Sequence, residues 1–294
     1  AYTVRIRTSF TFEHLEFNVA RQYKGKKNPL ADRRVRQALA LALDRQGLIR
    51  TSLRASIRTA VTMAAWSLYV HTPDLNQPGV PQPPDGQWDP IVRRYVVSGT
   101  KSALADARKL LNQTPYKGGF TLDLATTSGS NIRQSEESVL ATNWAKLRIK
   151  LNTTFASSAK LLAGWSAGGI LAHGDFQAAL FAYLATTDPQ AYRYNLVSAY
   201  CSRSTTRHQA IDGNNGCIHD SLIDRYFADA GRNLDASARA ADYNAIQIQV
   251  NRQAYWVPLY FWPTMATDDG QVLNFSLNPT QTGATWNIAA WAKR

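Results

Sequence analysis

Cysteine, methionine and long apolar runs are scarce in this sequence of 294 residues, which holds two cysteines and two methionines. No stretch approaches the roughly 18 consecutive apolar residues that cross a bilayer, so the sequence predicts no membrane span. Two cysteines cannot form a zinc site alone, and the five histidines show neither H-E-x-x-H nor H-x-H spacing. Walker A and G-x-G-x-x-G sequences are also missing. We therefore predict no catalytic residue, no metal ligand and no cofactor.

Acidic residues are fewer than basic ones, 21 against 33, which gives a formal net charge of +12. Such an excess raises the expectation of nucleic acid or other acidic partners. However, the basic residues are spread along the chain, and the densest runs, 24–27 and 33–36, are not interleaved with aromatic residues. Helix-turn-helix and zinc-finger spacings do not occur. The sequence therefore predicts a basic solvated surface and no nucleic-acid partner.

The two cysteines, Cys201 and Cys217, flank a polar segment rich in turn-forming residues. A disulfide between them would close a loop of about 17 residues and contribute about 3 kcal/mol to stability. Such a bond persists in an oxidising compartment. The sequence favours this disulfide, and two unpaired thiols in a reducing compartment are the alternative.

The hydrophobic periodicity alternates between strands and helices along the chain. Strands are predicted over 4–19, 120–125, 149–155, 176–184 and 256–262. Helices are predicted after an N-cap at Asp32, with Gly47 near the end of that helix, and over 102–111, 138–147, 158–162, 222–230 and 236–254. The proline-rich segment 71–90 is expected to be a functional loop or a linker. Alternation of this kind predicts an α/β fold.

Residues 164–168 read G-W-S-A-G and match the G-x-S-x-G nucleophile elbow of α/β-hydrolases. An elbow requires a strand before the serine and a helix after it, whereas 157–163 are not strand-like and Gly169 is a poor helix start. A hydrolase would use Ser166, with Asp188 as the acid and His208 or His219 as the base. A turn of small residues is the favoured interpretation.

Residues 28–49 read N-P-L-A-D-R-R-V-R-Q-A-L-A-L-A-L-D-R-Q-G-L-I. This text resembles the P-F-x-D-x-R-V-R-Q-A-I-x-x-A-I-D-R-x-x-I signature of the family 5 bacterial extracellular solute-binding proteins. Further along, G-D-F-Q-A-A-L at 174–180 is similar to the family's G-D-F-D-A-A-L strand. W-V-P-L-Y at 256–260 and W-N-I-A-A-W at 286–291 resemble its I-P-L-Y strand and its C-terminal W-N-x-x-x-W. The resemblance covers nearly the whole chain.

The resemblance implies a periplasmic-binding-protein-like lobe with a mixed β-sheet flanked by helices. Members of the family have two lobes around a cleft, and this chain corresponds to the second lobe plus the C-terminal tail. The implied division is a hinge-proximal strand over 1–14, the second ligand-binding lobe over 15–262, and over 263–294 a tail that returns toward a first lobe.

By the same resemblance, the protein would capture a peptide or another small solute and deliver it to the membrane permease subunits of an ABC importer. It would be an extracytoplasmic, lipid-anchored monomer and not an enzyme. The ligand-binding residues implied are Tyr183, Ala185, Thr186, Thr187, Asp188 and Trp262. Peptide binders carry an aspartate near the position of Ala185 or Thr186, so a sugar or a small cation complex is also open. The alternative function is the ligand-sensing domain of a transcriptional regulator.

Overall fold

The computed structural model describes residues 2–54, 61–62, 94–95, 97–184, 188–201, 213–278 and 285–294, so the segment 71–90 lies outside the described residues. The described strands are β1 (Thr3–Phe17), β2 (Gln22–Tyr23), β3 (Lys26–Lys27), β4 (Val61–Thr62), β5 (Phe120–Thr127), β6 (Ile149–Ala156), β7 (Ala178–Leu184), β8 (Trp256–Asp268), β9 (Val272–Leu273) and β10 (Ala292–Lys293). Six of them form one sheet in the order β4-β8-β1-β7-β5-β6. β5, β6 and β7 are parallel, whereas β1 runs antiparallel to β7 and β8. The predicted α/β class with a mixed sheet is confirmed.

The described α-helices are α1 (Arg33–Leu41), α2 (Arg45–Ser52), α3 (Lys101–Asn112), α4 (Asn131–Ala145), α5 (Ser158–Leu162), α6 (Ile170–His173), α7 (Arg193–Leu196), α8 (Ser221–Ala230) and α9 (Ala236–Gln253). Asp32 caps α1 as predicted, because its carboxylate accepts a hydrogen bond from the backbone N–H of Arg34. The prediction that Gly47 lies near the end of this helix is wrong. The chain leaves α1 at Ala42, and Asp44 caps a second helix by accepting from the Gly47 N–H at 2.7 Å.

Several strand boundaries differ from the predicted ones: β8 continues to Asp268 and β5 to Thr127. At two other places one side chain explains the difference. The first strand ends at Phe17 because Asn18 turns its side chain into the lobe, where Nδ2 donates to the carbonyls of Gly174 and Phe176. Because the carbonyl of Phe176 accepts from Asn18, it does not pair with a neighbouring strand, and β7 begins at Ala178 rather than at 176. An asparagine that bonds to nearby backbone competes with strand pairing in this way.

Helices cover both faces of the sheet. Leu15 and Phe17 of β1 point to one face, where they join a core built largely from α1 to α4. Phe12 points to the other face and packs with residues of α8 and α9. A smaller group around Phe176 and Phe181 completes that second face together with α5 and α6. The alternation of side chains along β1 therefore separates the two layers.

Beyond the six-stranded region, β1 and β8 continue as a two-stranded ribbon, in which Thr3–Thr8 pairs with Pro263–Asp268. β7 accompanies β1 only over residues 11–17. Val4 and Met265 are about 60% exposed on this ribbon. The predicted divisions at 14/15 and 262/263 therefore fall inside continuous strands.

The C-terminal residues lie beside the ribbon. β9 and β10 pair with each other, and the rings of Phe275 and Trp291 pack 5.7 Å apart. The guanidinium of Arg5 bonds to Asp268 and lies over the ring of Phe275. Cys201 and Cys217 are joined in a disulfide with their Cα atoms 4.6 Å apart.

Among the described helices, none combines the length and the apolar character needed to cross a bilayer. The longest, α9, carries polar and charged residues along its whole length.

Candidate functional site

The parallel strands β5, β6 and β7 all end at one edge of the sheet, at Thr127, Ala156 and Leu184. β8 runs in the same direction and carries Trp262 to this edge, since Phe12 of β1 pairs with both Tyr183 and Phe261. In open α/β sheets, ligands bind outside the carboxyl ends of the strands. This carboxyl edge is therefore the candidate ligand-facing side.

A buried ion pair lies under the carboxyl edge. Glu13 of β1 is completely buried, and its two carboxylate oxygens accept from Nε and Nη2 of Arg133 at 2.9 and 3.2 Å. Arg133 also donates from Nη1 to Thr127 Oγ1 at 2.7 Å, and Trp262 Nε1 donates to Glu13 Oε2 at 2.8 Å. Burial raises the pKa of Glu13, and the charge of Arg133 opposes that rise. The side chain of Arg133 is 17% exposed, so the pair reaches the surface through its cation.

A second glutamate lies beside this pair. Glu136 of α4 is fully buried and accepts a hydrogen bond from the hydroxyl of Tyr260. Burial raises the pKa of Glu136 well above its usual range, and the negative charge of Glu13 raises it further. One arginine faces two carboxyls, so Glu136 retains its proton when Glu13 is ionised. Together, Glu13, Arg133, Thr127, Trp262, Glu136 and Tyr260 form what we call the glutamate network.

The other face of the sheet carries an aromatic cluster around a buried histidine. His14 is completely buried, with its ring 4.8 Å from Tyr183 and 4.6 Å from Phe181. Burial lowers the pKa of His14 to about 3, so the imidazole is neutral at physiological pH. Next to it, Glu16 Oε1 accepts from the Gly216 N–H at 2.9 Å, which ties β1 to the disulfide segment.

The residues implied by the resemblance fall on different faces. Tyr183 lies in the aromatic cluster, where Asn195 donates to its hydroxyl, whereas Trp262 lies in the glutamate network. β1 separates the two rings. Asp188 accepts from the Gln190 N–H and lies 3.8 Å from Arg239, so its carboxylate caps a turn. Residues 185–187 lie outside the described residues.

The G-x-S-x-G segment does not have the geometry of a nucleophile elbow. Ser166 lies in a 3-10 turn between α5 and α6, with a helix and not a strand before it. His173 stacks on Trp165 at 3.9 Å and bonds through Nε2 to the Trp165 carbonyl. Asp188 is engaged elsewhere, and His208 lies outside the described residues.

His219 contacts Cys217 Sγ at 3.5 Å. Its Nε2 and the two cysteine sulfurs form the one group of three potential metal ligands in the described part of the chain. Because both sulfurs are held in the disulfide, neither is available as a thiolate. The group is not a metal site in this state.

Sequence reasoning missed Glu13, Arg133 and Glu136. The available signal was acidic residues at positions 13 and 16, in the part of β1 where residues 12 to 17 are all buried. A carboxylate in such a strand requires a buried partner. The partner Arg133 lies 120 positions further along the chain, so the sequence alone could not identify it.

The comparisons with known proteins concern the family and the fold. The sequence model of the bacterial extracellular solute-binding proteins, family 5 Middle, matches residues 1–203. No curated protein matches the chain significantly in sequence. Among solved structures, NikA from Brucella suis in complex with Fe(III)-EDTA is 16% identical with a TM-score of 0.70, and the match covers 100% of this chain and 53% of that one.

Two further structures are similar. The oligopeptide-binding protein AppA from Bacillus subtilis, in complex with a nonapeptide, is 17% identical with a TM-score of 0.66, over 100% of this chain and 52% of that one. The murein tripeptide binding protein MppA from Escherichia coli is 20% identical with a TM-score of 0.69, over 95% of this chain and 48% of that one. The chain thus spans about half the length of these proteins, with which it shares the fold.

Proposed function

Since the chain belongs to the bacterial extracellular solute-binding proteins of family 5, we propose that it forms a ligand-binding lobe of the substrate-binding component of an ABC importer. It acts outside the cytoplasm, binds a peptide-like or other small solute, and passes it to membrane permease subunits without chemical change. The family match over residues 1–203 is the observation that carries this proposal. The same match supports transport over the sensor-domain and hydrolase alternatives.

The carboxyl edge of the sheet is the proposed wall of the ligand cleft. The indole of Trp262 is fixed there by its hydrogen bond to Glu13, and Arg133 carries a partly exposed cation at the same place. A fixed aromatic face and a positioned cation are the groups that orient a solute in a pocket. Tyr183, Asp188 and residues 185, 186 and 187, the last three outside the described residues, are proposed to contribute to ligand binding because the family resemblance implies them.

The solute is proposed only as a class. Structures with this fold hold a nonapeptide in one case and Fe(III)-EDTA in another. Nη1 and Nη2 of Arg133 each keep one N–H that does not bond to Glu13 or Thr127, and these donors with the aromatic Trp262 suit either a peptide carboxylate or an anionic chelate. We therefore propose a solute that carries at least one carboxylate.

Thermal unfolding of the protein in the presence of solutes tests the proposal. Addition of peptide pools and of metal–chelate pools should raise the Tm for one of them, by a free energy of about 2.7 kcal/mol at a hundredfold excess over Kd. Trp262→Ala should abolish that shift. Tyr116→Ala, which removes an aromatic ring at the opposite end of the sheet, is the control and should retain it. If no solute pool shifts the Tm, the proposed function is wrong.

A further inference from the structure

Four basic side chains surround a cavity at the end of the sheet opposite the carboxyl edge. The cavity has a volume of about 190 Å³ and is lined by Arg108, Leu111, Asn112, Lys117, Lys146, Leu147 and Arg148. Leu111 and Leu147 are almost completely buried and form an apolar floor. The four cations are exposed around it. No acidic residue is among the lining residues.

Three segments of the chain bring these cations together. Arg108 lies in the last two turns of α3, and its Nη2 donates to the carbonyl of Lys146 at 3.2 Å, which joins α3 to the end of α4. Lys117 lies in the loop that leads into β5. Gly119 of that loop, at φ +89°, is so close to Arg148 that a Cβ would lie 2.0 Å from the Arg148 carbonyl oxygen. The packing therefore fixes the loop against the turn after α4.

None of the four cations forms an ion pair within the described part of the chain. Asp106, near Arg108 in the sequence, pairs with Arg94 at 3.1 Å. Glu137 lines an adjoining cavity together with Arg148 but forms no ion pair with it, and accepts from Thr153 Oγ1 at 2.8 Å. Four like charges that line one cavity repel one another. They therefore create a positive potential that favours an anion.

Helix dipoles explain only part of this arrangement. A cation near the carboxyl end of a helix is stabilised by the dipole, and this accounts for Lys146 at the end of α4. It does not account for Lys117, which lies in a loop, or for Arg148. Arg148 has φ +61°, in the left-handed region that favours glycine. A long cation therefore occupies a position where glycine would be less strained.

We propose that Arg108, Lys117, Lys146 and Arg148 form a second binding site, for a phosphate-bearing anion. The cavity is large enough for a phosphate group, and guanidinium and ammonium groups are the usual partners of phosphate oxygens. Its position at the amino ends of β5 and β6 separates it from the proposed solute cleft. The two sites can therefore be occupied at the same time.

The test uses pyrophosphate as the probe, with the 294-residue chain labelled with ¹⁵N and the ionic strength held constant. Saturable shifts of the amides of Gly119, Leu147 and Arg148 are expected. The double variant Lys117→Gln/Lys146→Gln should bind about tenfold more weakly, the scale of two exposed ion pairs. Lys26→Gln/Lys101→Gln removes the same charge from exposed positions elsewhere and should bind as the unmodified chain does. Equal losses in both variants would show a general charge effect and overturn the site.

Arg148→Gly separates binding from folding. Because glycine adopts a positive φ without strain, this variant should unfold at the same temperature as the unmodified chain or at a higher one, yet bind pyrophosphate more weakly. Unchanged binding in Arg148→Gly would contradict the proposal.

Co-sedimentation with vesicles distinguishes the two sources of phosphate. Binding to phosphatidylglycerol vesicles, with none to phosphatidylcholine vesicles and with loss in Lys117→Gln/Lys146→Gln, assigns the site to lipid headgroups. Saturable pyrophosphate binding without vesicle binding assigns it to free phosphate compounds. The absence of both overturns the proposal.

Discussion

Glu13 and His14 are neighbours on β1, and each is completely buried on a different face of the sheet. Glu13 keeps a carboxylate in the interior by pairing with Arg133, whereas His14 is buried as a neutral ring among aromatic side chains. Burying a titratable group requires either a partner for its charge or the loss of that charge. One strand shows both solutions one residue apart. The face with the ion pair is also the one that carries Trp262 to the carboxyl edge.

The largest expected effect comes from breaking the ion pair. Arg133→Met should lower the free energy of unfolding by about 3 to 5 kcal/mol, because it leaves Glu13 buried without its partner. The double variant Glu13→Gln/Arg133→Met removes both charges and should recover most of this loss. Urea unfolding measures the difference. A single variant as stable as the unmodified chain would show that the pair is solvated and not buried as described.

Acid should destabilise the aromatic face through His14. Its pKa falls from 6.5 in the unfolded chain to about 3 in the folded one, so the unfolded chain binds the proton first as the pH falls. The stability contributed by neutral burial is complete above about pH 6.5 and decreases by about 1.4 kcal/mol per unit below it. His14→Phe, which keeps an aromatic ring, should lack this dependence. Parallel pH profiles of the two proteins between pH 4 and 6.5 would contradict the assignment.

Glu136 should give a pH dependence of opposite sign. Burial raises its pKa, so the folded chain retains a proton that the unfolded chain releases above about 4.5. Stability from this group therefore decreases as the pH rises above 4.5, by up to about 1.4 kcal/mol per unit. In Glu136→Gln this decrease should be absent, and the Tm difference between the variant and the unmodified chain should grow from pH 4.5 to 7. A constant difference would indicate that Glu136 is ionised in the folded protein.

The smallest expected loss of stability comes from removing the hydrogen bond between the Trp262 indole and Glu13. Trp262→Phe removes an N–H that donates to the Glu13 carboxylate and should cost about 1 to 2 kcal/mol. Trp291→Phe is the matched control, since Nε1 of Trp291 donates to the neutral amide oxygen of Asn287 and its loss should cost less. Equal losses in chemical denaturation would mean that the charge of Glu13 adds nothing to the bond.

Local pattern was sufficient to predict most of the elements. Asp32, the alternation along β1 and the strand–helix–strand order of 120–156 predicted α1, β1, and β5 and β6 with a helix between them. The break before α2 was missed because periodicity continues through Asp44, and only the cap bond to Gly47 reveals it.

The candidate site was less predictable. The pairing of Glu13 with Arg133 depends on the register of β1 in the sheet and on how α4 packs against it, and neither is encoded locally. The family resemblance implied Trp262 but not its acceptor Glu13. The ligand-binding roles of Trp262, Tyr183, Asp188 and residues 185 to 187 remain predictions.

The ribbon formed by Thr3–Thr8 and Pro263–Asp268 has a mechanical consequence. Its strands are joined to each other and to the tail, through Arg5 and Phe275, but not to β7. The ladder register shifts between Thr8 and Phe12, so bending is easiest at that irregularity. The ribbon and the C-terminal residues beside it should therefore move together as a rigid body that bends at this irregularity. A force on the free end of the ribbon would then act on Glu13 and Trp262, which lie next to the bend.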